Sequence, residues 1–571
     1  MKSARDLQQL LERIDHRGYP AYKDAAGAWR FENYALFIDH VQGDPFAAPS
    51  SLHVEIAGAA AGIPAALIDT VEKKTAMEDF LLRLFYEQAG KFSFQAKGSG
   101  KSGVISVMRP GQEVACRSAL EIDAANGNVL ARFEVGFPAN GRTINARELI
   151  KILFQFLPQC VERALFYKNL NVKAAEAAVR LAADQAVLRV QMKEQGLLAF
   201  VADGAVLPRA SGVSDKPMKS AVAFQSPQSL RVTLKKSDGS DISGMGLRRG
   251  ITLLVGGGYH GKSTLLKAME RGVYAHIAGD GREYVLTDAD AVKIRAEDGR
   301  SIWNTDISMF IGHLPNGKST ECFDSEDASG STSQAANVVE AIEAGTSAFL
   351  IDEDTSATNF MIRDELMQRV IARDKEPITP YIERVKELWE DYGISTVLVA
   401  GSCGSYIDVA DTIIQMDSYL PCDITAHAKE LAANYPSVAQ AKRCEKQPSF
   451  SRRPKKHPQI IYKGRIKLKV QGRDSISVGQ EIIDLRYVEQ LVDSGQLHAL
   501  GYMMKYLEES GFNGSHSIQR LVEALYAGIE KKGFGAFFAG RGHAGDIPGN
   551  LMLPRKQELF ACINRYRMHL K

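Results

Sequence analysis

The chain predicts an α/β protein of several domains, organised around a parallel sheet that carries a glycine loop. Three observations lead there. The apolar run Ile251-Thr252-Leu253-Leu254-Val255 reads as a strand, and it leads through Gly256-Gly257-Gly258-Tyr259-His260-Gly261 into the helix-forming stretch Thr264–Glu270. A second short apolar run, Ser347–Ile351, ends in the paired acids Asp352 and Glu353, as a buried parallel strand would. Finally, 571 residues with 45% hydrophobic and 24% charged content exceed one core yet stay near the globular average.

Taken in chain order, residues 1–205 predict an N-terminal α/β domain. Asn128–Val135 alternates apolar and polar residues as a strand does, and Ala146–Leu157 spaces its apolar residues as a helix does. Val206–Pro227 is rich in Gly, Ser and Pro and reads as a linker, so a second domain is expected over 206–420. Residues 421–475 form a basic linker or insertion, broken by Pro448, Pro454 and Pro458. Its later part, Ile460–Val470, alternates apolar and basic residues like a strand with one charged face. A mostly helical region is expected over 476–571. Gly98-Ser99-Gly100-Lys101-Ser102-Gly103 imitates a phosphate loop, but Gln95 replaces the first glycine and Val104–Val107 reads as strand; a hairpin turn is expected.

The octet Gly256–Ser263 fits G-x-x-x-x-G-K-[ST] in its strand-loop-helix setting. Glycines let a backbone turn tightly and aim successive N–H groups at phosphate oxygens, at the positive end of the helix that begins near Lys262, Ser263 and Thr264. In this pattern Lys262 reaches the β- and γ-phosphates and the Ser263 hydroxyl ligates Mg²⁺. The competing reading is a glycine-rich surface turn. Asp352 supplies the hard oxygen that Mg²⁺ needs. Successive strand residues point oppositely, so Glu353 has a separate role, which is to orient, or partly deprotonate, an attacking water. The competing reading there is a strand end capped by acids.

Ala328-Ser329-Gly330-Ser331-Thr332-Ser333-Gln334 precedes the helix-like stretch Ala335–Ala344, and Ser329 lies 23 residues before Asp352. With Asp352-Glu353-Asp354-Thr355-Ser356-Ala357-Thr358-Asn359, this layout resembles the ABC-class ATPases, whose signature is L-S-G-G-Q at a helix N-terminus. Most similar are the soluble proteins grouped as predicted ATPases of the ABC class. They share Gly257–Leu266, Gly279-Asp280-Gly281-Arg282-Glu283, Asp352–Met361 and Gln42-Gly43-Asp44-Pro45-Phe46. The resemblance implies an ABC-type nucleotide-binding domain over 206–420 and a head-to-tail homodimer. ATP would lie between one copy's phosphate loop and the other's Ser329, Gly330 and Ser331. It also exposes departures. Ser331 and Thr332 replace the signature's second glycine and glutamine, and Gly401-Ser402 stand where related enzymes carry a histidine that holds the γ-phosphate. His260 and His313 are candidate substitutes, and Asn316 the candidate γ-phosphate sensor.

Seven scattered cysteines with no C-x-x-C pair argue against a zinc site or disulfide framework and for a reducing cytoplasm. No apolar stretch is long enough to span a membrane, and Met1–Leu7 has no signal-peptide core, so neither a membrane nor a transporter subunit is an expected partner. The net charge is only +2, yet Lys442–Arg473 carries twelve Lys and Arg against one acid. Arg452, Arg453, Lys455, Lys456, Lys463, Arg465, Lys467 and Lys469, interleaved with Phe450 and Tyr462, match a segment that neutralises RNA or DNA phosphates and stacks bases. The competing reading is a solvated linker. Two functions follow as expectations: ATP hydrolysis coupled to nucleic-acid binding, or an ATP-gated nucleic-acid clamp with little turnover. A small-molecule kinase would leave Ser329-Gly330 unexplained.

Overall fold

The computed structural model describes residues 1–363, 370–371, 375–401, 403–435, 443–444, 447–456, 466–538 and 544–567. The chain divides into two compact units: Met1–Ala183 with Lys532–Leu553, and Asp184–Lys531 with Pro554–Lys571.

The first unit is built on a seven-stranded, mainly antiparallel sheet. Its long members, Ala35–His40, Ser50–Ile56 and Val129–Val135, pair antiparallel, from Ala35↔Glu55 with a register shift between Ile38 and His40, and without a break from Ser50↔Val135 to Ile56↔Val129. The helix Val71–Phe92 starts where the Thr70 hydroxyl accepts the Lys73 N–H, and it buries Met77, Leu81, Leu82 and Phe85. Phe85 meets Phe133 of the sheet edge-to-face at 5.7 Å. The helix read over Ala146–Leu157 is interrupted. Ala146–Lys151 passes into a π-helical turn, Ile152–Phe156, before Leu157–Leu165 resumes. Pro158 supplies the reason: it has no N–H to give, and its ring crowds the carbonyl one turn back. After the imitation phosphate loop the chain enters the short strand Ile105–Ser106 and not a helix.

In the second unit the central sheet has six strands: β1 (Ile251–Val255), β2 (Ala291–Ile294), β3 (Ala348–Asp352), β4 (Ser395–Val399), β5 (Thr412–Asp417) and β6 (Leu420–Asp423), in the spatial order β2-β3-β4-β1-β5-β6. The first five are parallel, and β6 returns antiparallel beside β5. Every residue of β3 and β4 is buried, as the continuous apolar runs require of strands covered on both faces. The helix α1 (Lys262–Arg271) follows β1, α2 (Gly330–Glu343) precedes β3, and α3 (Tyr381–Tyr392) precedes β4. A four-stranded antiparallel sheet of Arg231–Lys235, Asp241–Arg248, Leu197–Ala202 and Val285–Thr287 accompanies this core.

The C-terminal part opens with a three-stranded antiparallel sheet, Leu468–Gln471, Ser475–Val478 and Glu481–Asp484, followed by the helices Ser494–Tyr506, Ile518–Lys532 and Lys556–Asn564. It is fastened to the edge of the central sheet by polar contacts. Gln490 donates to the carbonyls of Glu270 and Ala291, and Arg555 donates to those of Ala289 and Ala291. A buried ionic network continues the seam: Arg565 pairs with Glu297, Arg300 with Glu340, and Arg452 with Glu343.

That network corrects one expectation. Arg452 does not face solvent: its side chain is 3% exposed, and its guanidinium also donates to Thr305 Oγ1 and the Trp303 carbonyl. A guanidinium already neutralised and buried in this way is closed to phosphate. Arg453, Lys455, Lys456, Lys467 and Lys469 are exposed, with Lys467 just before the strand Leu468–Gln471 and Lys469 within it. Lys463 and Arg465 lie outside the described residues.

Candidate nucleotide site

The glycine loop leaves the C-terminal end of β1. Gly256 has φ +136° and Gly261 φ +96°, backbone conformations that side chains rarely adopt. A Cβ on Gly256 would lie 2.4 Å from the Met416 carbonyl oxygen, so this position also requires the close approach only glycine permits. Gly257 and Gly258 continue the loop, and the exposed Tyr259 takes φ +63°. Gly261 is the N-cap of α1 and offers no side chain, which leaves the first-turn N–H groups of Lys262, Ser263 and Thr264 facing the loop. Lys262 Nζ donates to the Gly256 and Gly257 carbonyls at 2.5 and 2.8 Å and so spans the concave side of the loop.

Sheet register brings the acids to this loop. Val399 of β4 is the partner of Leu254 on one side and of Asp352 on the other. Asp352 therefore stands two strand spacings, about 10 Å, from the last residues before the loop and at the same height. Asp352 is 6% exposed. Its carboxylate accepts the Asp354 N–H at 3.3 Å and has no ion pair among the described residues. A buried carboxylate so lightly engaged, with the Ser263 hydroxyl at the start of α1, is the hard-oxygen donor set that suits Mg²⁺.

Glu353 points elsewhere, as strand alternation requires. Its Oε2 accepts the Gly401 N–H at 2.6 Å, just past the end of β4. Burial raises the neighbouring Cys403 thiol, and the Glu353 carboxylate pushes it the same way. So at Gly401, where the family resemblance implies a histidine, a backbone N–H meets the acid. Ser402 lies outside the described residues. His260 accepts the Ser418 N–H at Nδ1, 2.9 Å away, and His313 is exposed.

Ser329 is the N-cap of α2, and its hydroxyl pairs with Thr332 Oγ1 at 3.1 Å instead of capping a backbone N–H. The tip formed by Ser329, Gly330 and Ser331 is partly to fully exposed. A Cβ on Gly330 would lie 3.1 Å from Asp298 Oδ1 and 3.5 Å from Ala296 Cβ, so the tip rests on the segment that leaves edge strand β2. Within one chain β2 is three strand spacings from β1, roughly 14 Å. The loop and the acids thus come together, whereas the serine-glycine tip, whose Gly330 would place a Cβ 3.7 Å from Ala357 Cβ in the loop after β3, stands apart from the phosphate loop.

Sequence reasoning passed over Gln334. It is wholly buried, its amide donates to Ser356 Oγ at 3.0 Å, and its Oε1 accepts the Ala357 N–H at 2.8 Å. It locks the start of α2 to the loop after β3. The available signal was a glutamine among the apolar residues of a helix that had to be buried all round.

The strand order and glycine loop define a P-loop nucleotide-binding core. Residues 171–453 match the ABC ATPase family model described as a P-loop domain, and residues 4–168 match the model for the N-terminal part of ATPases of the ABC class. Residues 467–570 match the model described as the MRB1590 C-terminal domain. The first two models together span well over half of the sequence, and the chain belongs to the ABC-class ATPase family.

An uncharacterised protein of Methanocaldococcus jannaschii is 26% identical over 307 residues, 52% of this chain and 66% of its own length. The match thus covers just under two thirds of that relative. Among solved structures, an ATP-binding cassette of an ABC transporter in its ADP conformation is 12% identical, over 36% of this chain and 92% of the cassette, with a TM-score of 0.23. The cbiO1 protein of Clostridium perfringens, part of an ABC transporter complex, is 12% identical over 42% of this chain and 92% of its own, also with a TM-score of 0.23. Among the described residues, no helix is long and apolar enough to cross a membrane.

Proposed function

We propose that the protein binds and hydrolyses Mg-ATP at two identical composite sites of a head-to-tail homodimer, in the cytoplasm, with hydrolysis coupled to RNA or DNA binding. The loop Gly256–Ser263 and Thr264 wrap the phosphates, and Lys262 exchanges its loop carbonyls for β- and γ-phosphate oxygens. Ser263 and Asp352 would hold Mg²⁺, which supplies charge neutralisation across the phosphates when bound. Glu353 orients a water in line with the γ-phosphorus and takes up its proton as the P–O bond to ADP breaks, giving ADP and inorganic phosphate.

The observation that carries the dimer is the distance between the two halves of the machinery. Ser329, Gly330 and Ser331 form an uncapped helix tip of the kind that receives anions, yet they sit about three strands from their own phosphate loop. A second copy, turned head to tail, would bring its tip to the γ-phosphate and close both sites at once. Loss of that phosphate would then release the pair.

Support for nucleic-acid coupling is the exposed cation set Arg453, Lys455, Lys456, Lys467 and Lys469, the last two alternating onto one face. A second reading, an ATP-gated clamp with little turnover, draws on Gly401: Glu353 is met there by a backbone N–H and not by an imidazole.

Replacing Glu353 with Gln tests the reading. Turnover should fall about 10²- to 10⁴-fold while ATP stays bound and the dimer is held closed. Undiminished hydrolysis would take Glu353 out of the mechanism.

A further inference from the structure

The hairpin joining β5 to β6 has a two-residue turn. Asp417 and Leu420 are register partners, and Ser418 and Tyr419 between them have φ +50° and +73°. Left-handed backbone at both central positions is the type I′ arrangement, where Asn-Gly is favoured because a Cβ is crowded there. A tyrosine at the second position is therefore strained, and strain of this kind is retained where the side chain serves a function.

The turn is also tied to the phosphate loop. The Ser418 N–H donates to His260 Nδ1 at 2.9 Å, and a Cβ on Gly261 would lie 3.3 Å from Tyr419 Cδ1. The Tyr419 ring thus lies beside the backbone that precedes Lys262, with 55% of the residue still exposed. In the stretch of chain that leads into the loop, no aromatic competes for this place. Phe224 is 2% exposed, and no Phe, Tyr or Trp occurs from there to Tyr259. Tyr259 itself is 99% exposed, so none of the described residues holds its ring.

We propose that Tyr419 is the platform on which the base of the bound nucleotide stacks, the strain of the turn being the cost of aiming that ring. The inference rests on the phosphate-loop reading of Gly256–Ser263. Calorimetric titration with Mg-ATP and with Mg-tripolyphosphate, which has no base, separates the two. In Tyr419→Gly, affinity for Mg-ATP should drop about 5- to 100-fold. Tripolyphosphate binding should stay unchanged, and the unfolding temperature should hold or rise as the strained turn relaxes. Tyr419→Phe should bind both ligands as the wild type does.

Wild-type Mg-ATP affinity in Tyr419→Gly would overturn the proposal. So would an equal loss for both ligands, or a loss on Tyr259→Gly with none on Tyr419→Gly. Failure of the wild type to bind either ligand would remove the phosphate site itself, and the proposal with it.

Discussion

Arg452→Met tests whether the basic segment starts as a structural anchor. Arg452 and Glu343 have side chains 3% and 1% exposed, and Glu343 Oε1 has no hydrogen bond among the described residues. Burial raises the Glu343 carboxyl above its ordinary value, and Arg452 pulls it back down. Without the guanidinium the charge is stranded, and breaking such a pair costs about 3–5 kcal/mol. The loss should depend on pH. A buried acid whose folded pKa is raised contributes stability below its unfolded pKa and loses it as pH climbs through the folded one. Removing Arg452 raises the folded value further. Arg452→Met should therefore be strongly destabilised near neutral pH and recover as the pH falls and Glu343 takes up a proton. Adding Glu343→Leu should restore most of the stability by replacing the pair with apolar contact. Calorimetric unfolding of the full chain at neutral and at acid pH compares the wild type with both variants. Wild-type stability of Arg452→Met near neutral pH, or a double variant no better than the single, would refute the reasoning.

Two further outcomes are expected. Glu78, which accepts from Lys74 Nζ at 2.6 Å and the Ile122 N–H at 2.7 Å, is pushed up to about 7 by burial. The same sign applies: its contribution is present below about 4.5 and lost as pH rises through about 7, so Glu78→Gln should flatten the pH dependence of thermal unfolding across that window. Replacing Lys455, Lys456, Lys467 and Lys469 with Gln should weaken polyanion binding and reduce its logarithmic salt slope by about 3–4, with ATP affinity intact. An unchanged slope in a filter-binding titration would end the nucleic-acid reading.

Much of the nucleotide site was legible because its parts are local. The loop, α1 and the two acids each follow from short runs whose residue types permit little else: glycines at φ beyond +90°, an all-buried strand, carboxylates at its end. Contacts between distant segments were not legible. Twelve cations in 32 residues look alike in a sequence, and only tertiary packing shows that Arg452 is buried against Glu343 while Lys469 is not. The Gly401 N–H that meets Glu353 is a backbone group, so no residue type announces it. The Ser418-Tyr419 turn hid for the opposite reason. It breaks the turn preference that would have marked a hairpin, as functional strain tends to do.

The central claim is that ATP is held between two copies, and mixing two inactive variants tests it most directly. Lys262→Ala disables the loop and Ser329→Glu repels the γ-phosphate at the helix tip, so each homodimer has a lesion in both sites. In the mixed dimer both lesions fall in one site and the other is intact, so an equimolar mixture should regain about a quarter of wild-type hydrolysis. A mixture as inactive as its two components would contradict the account.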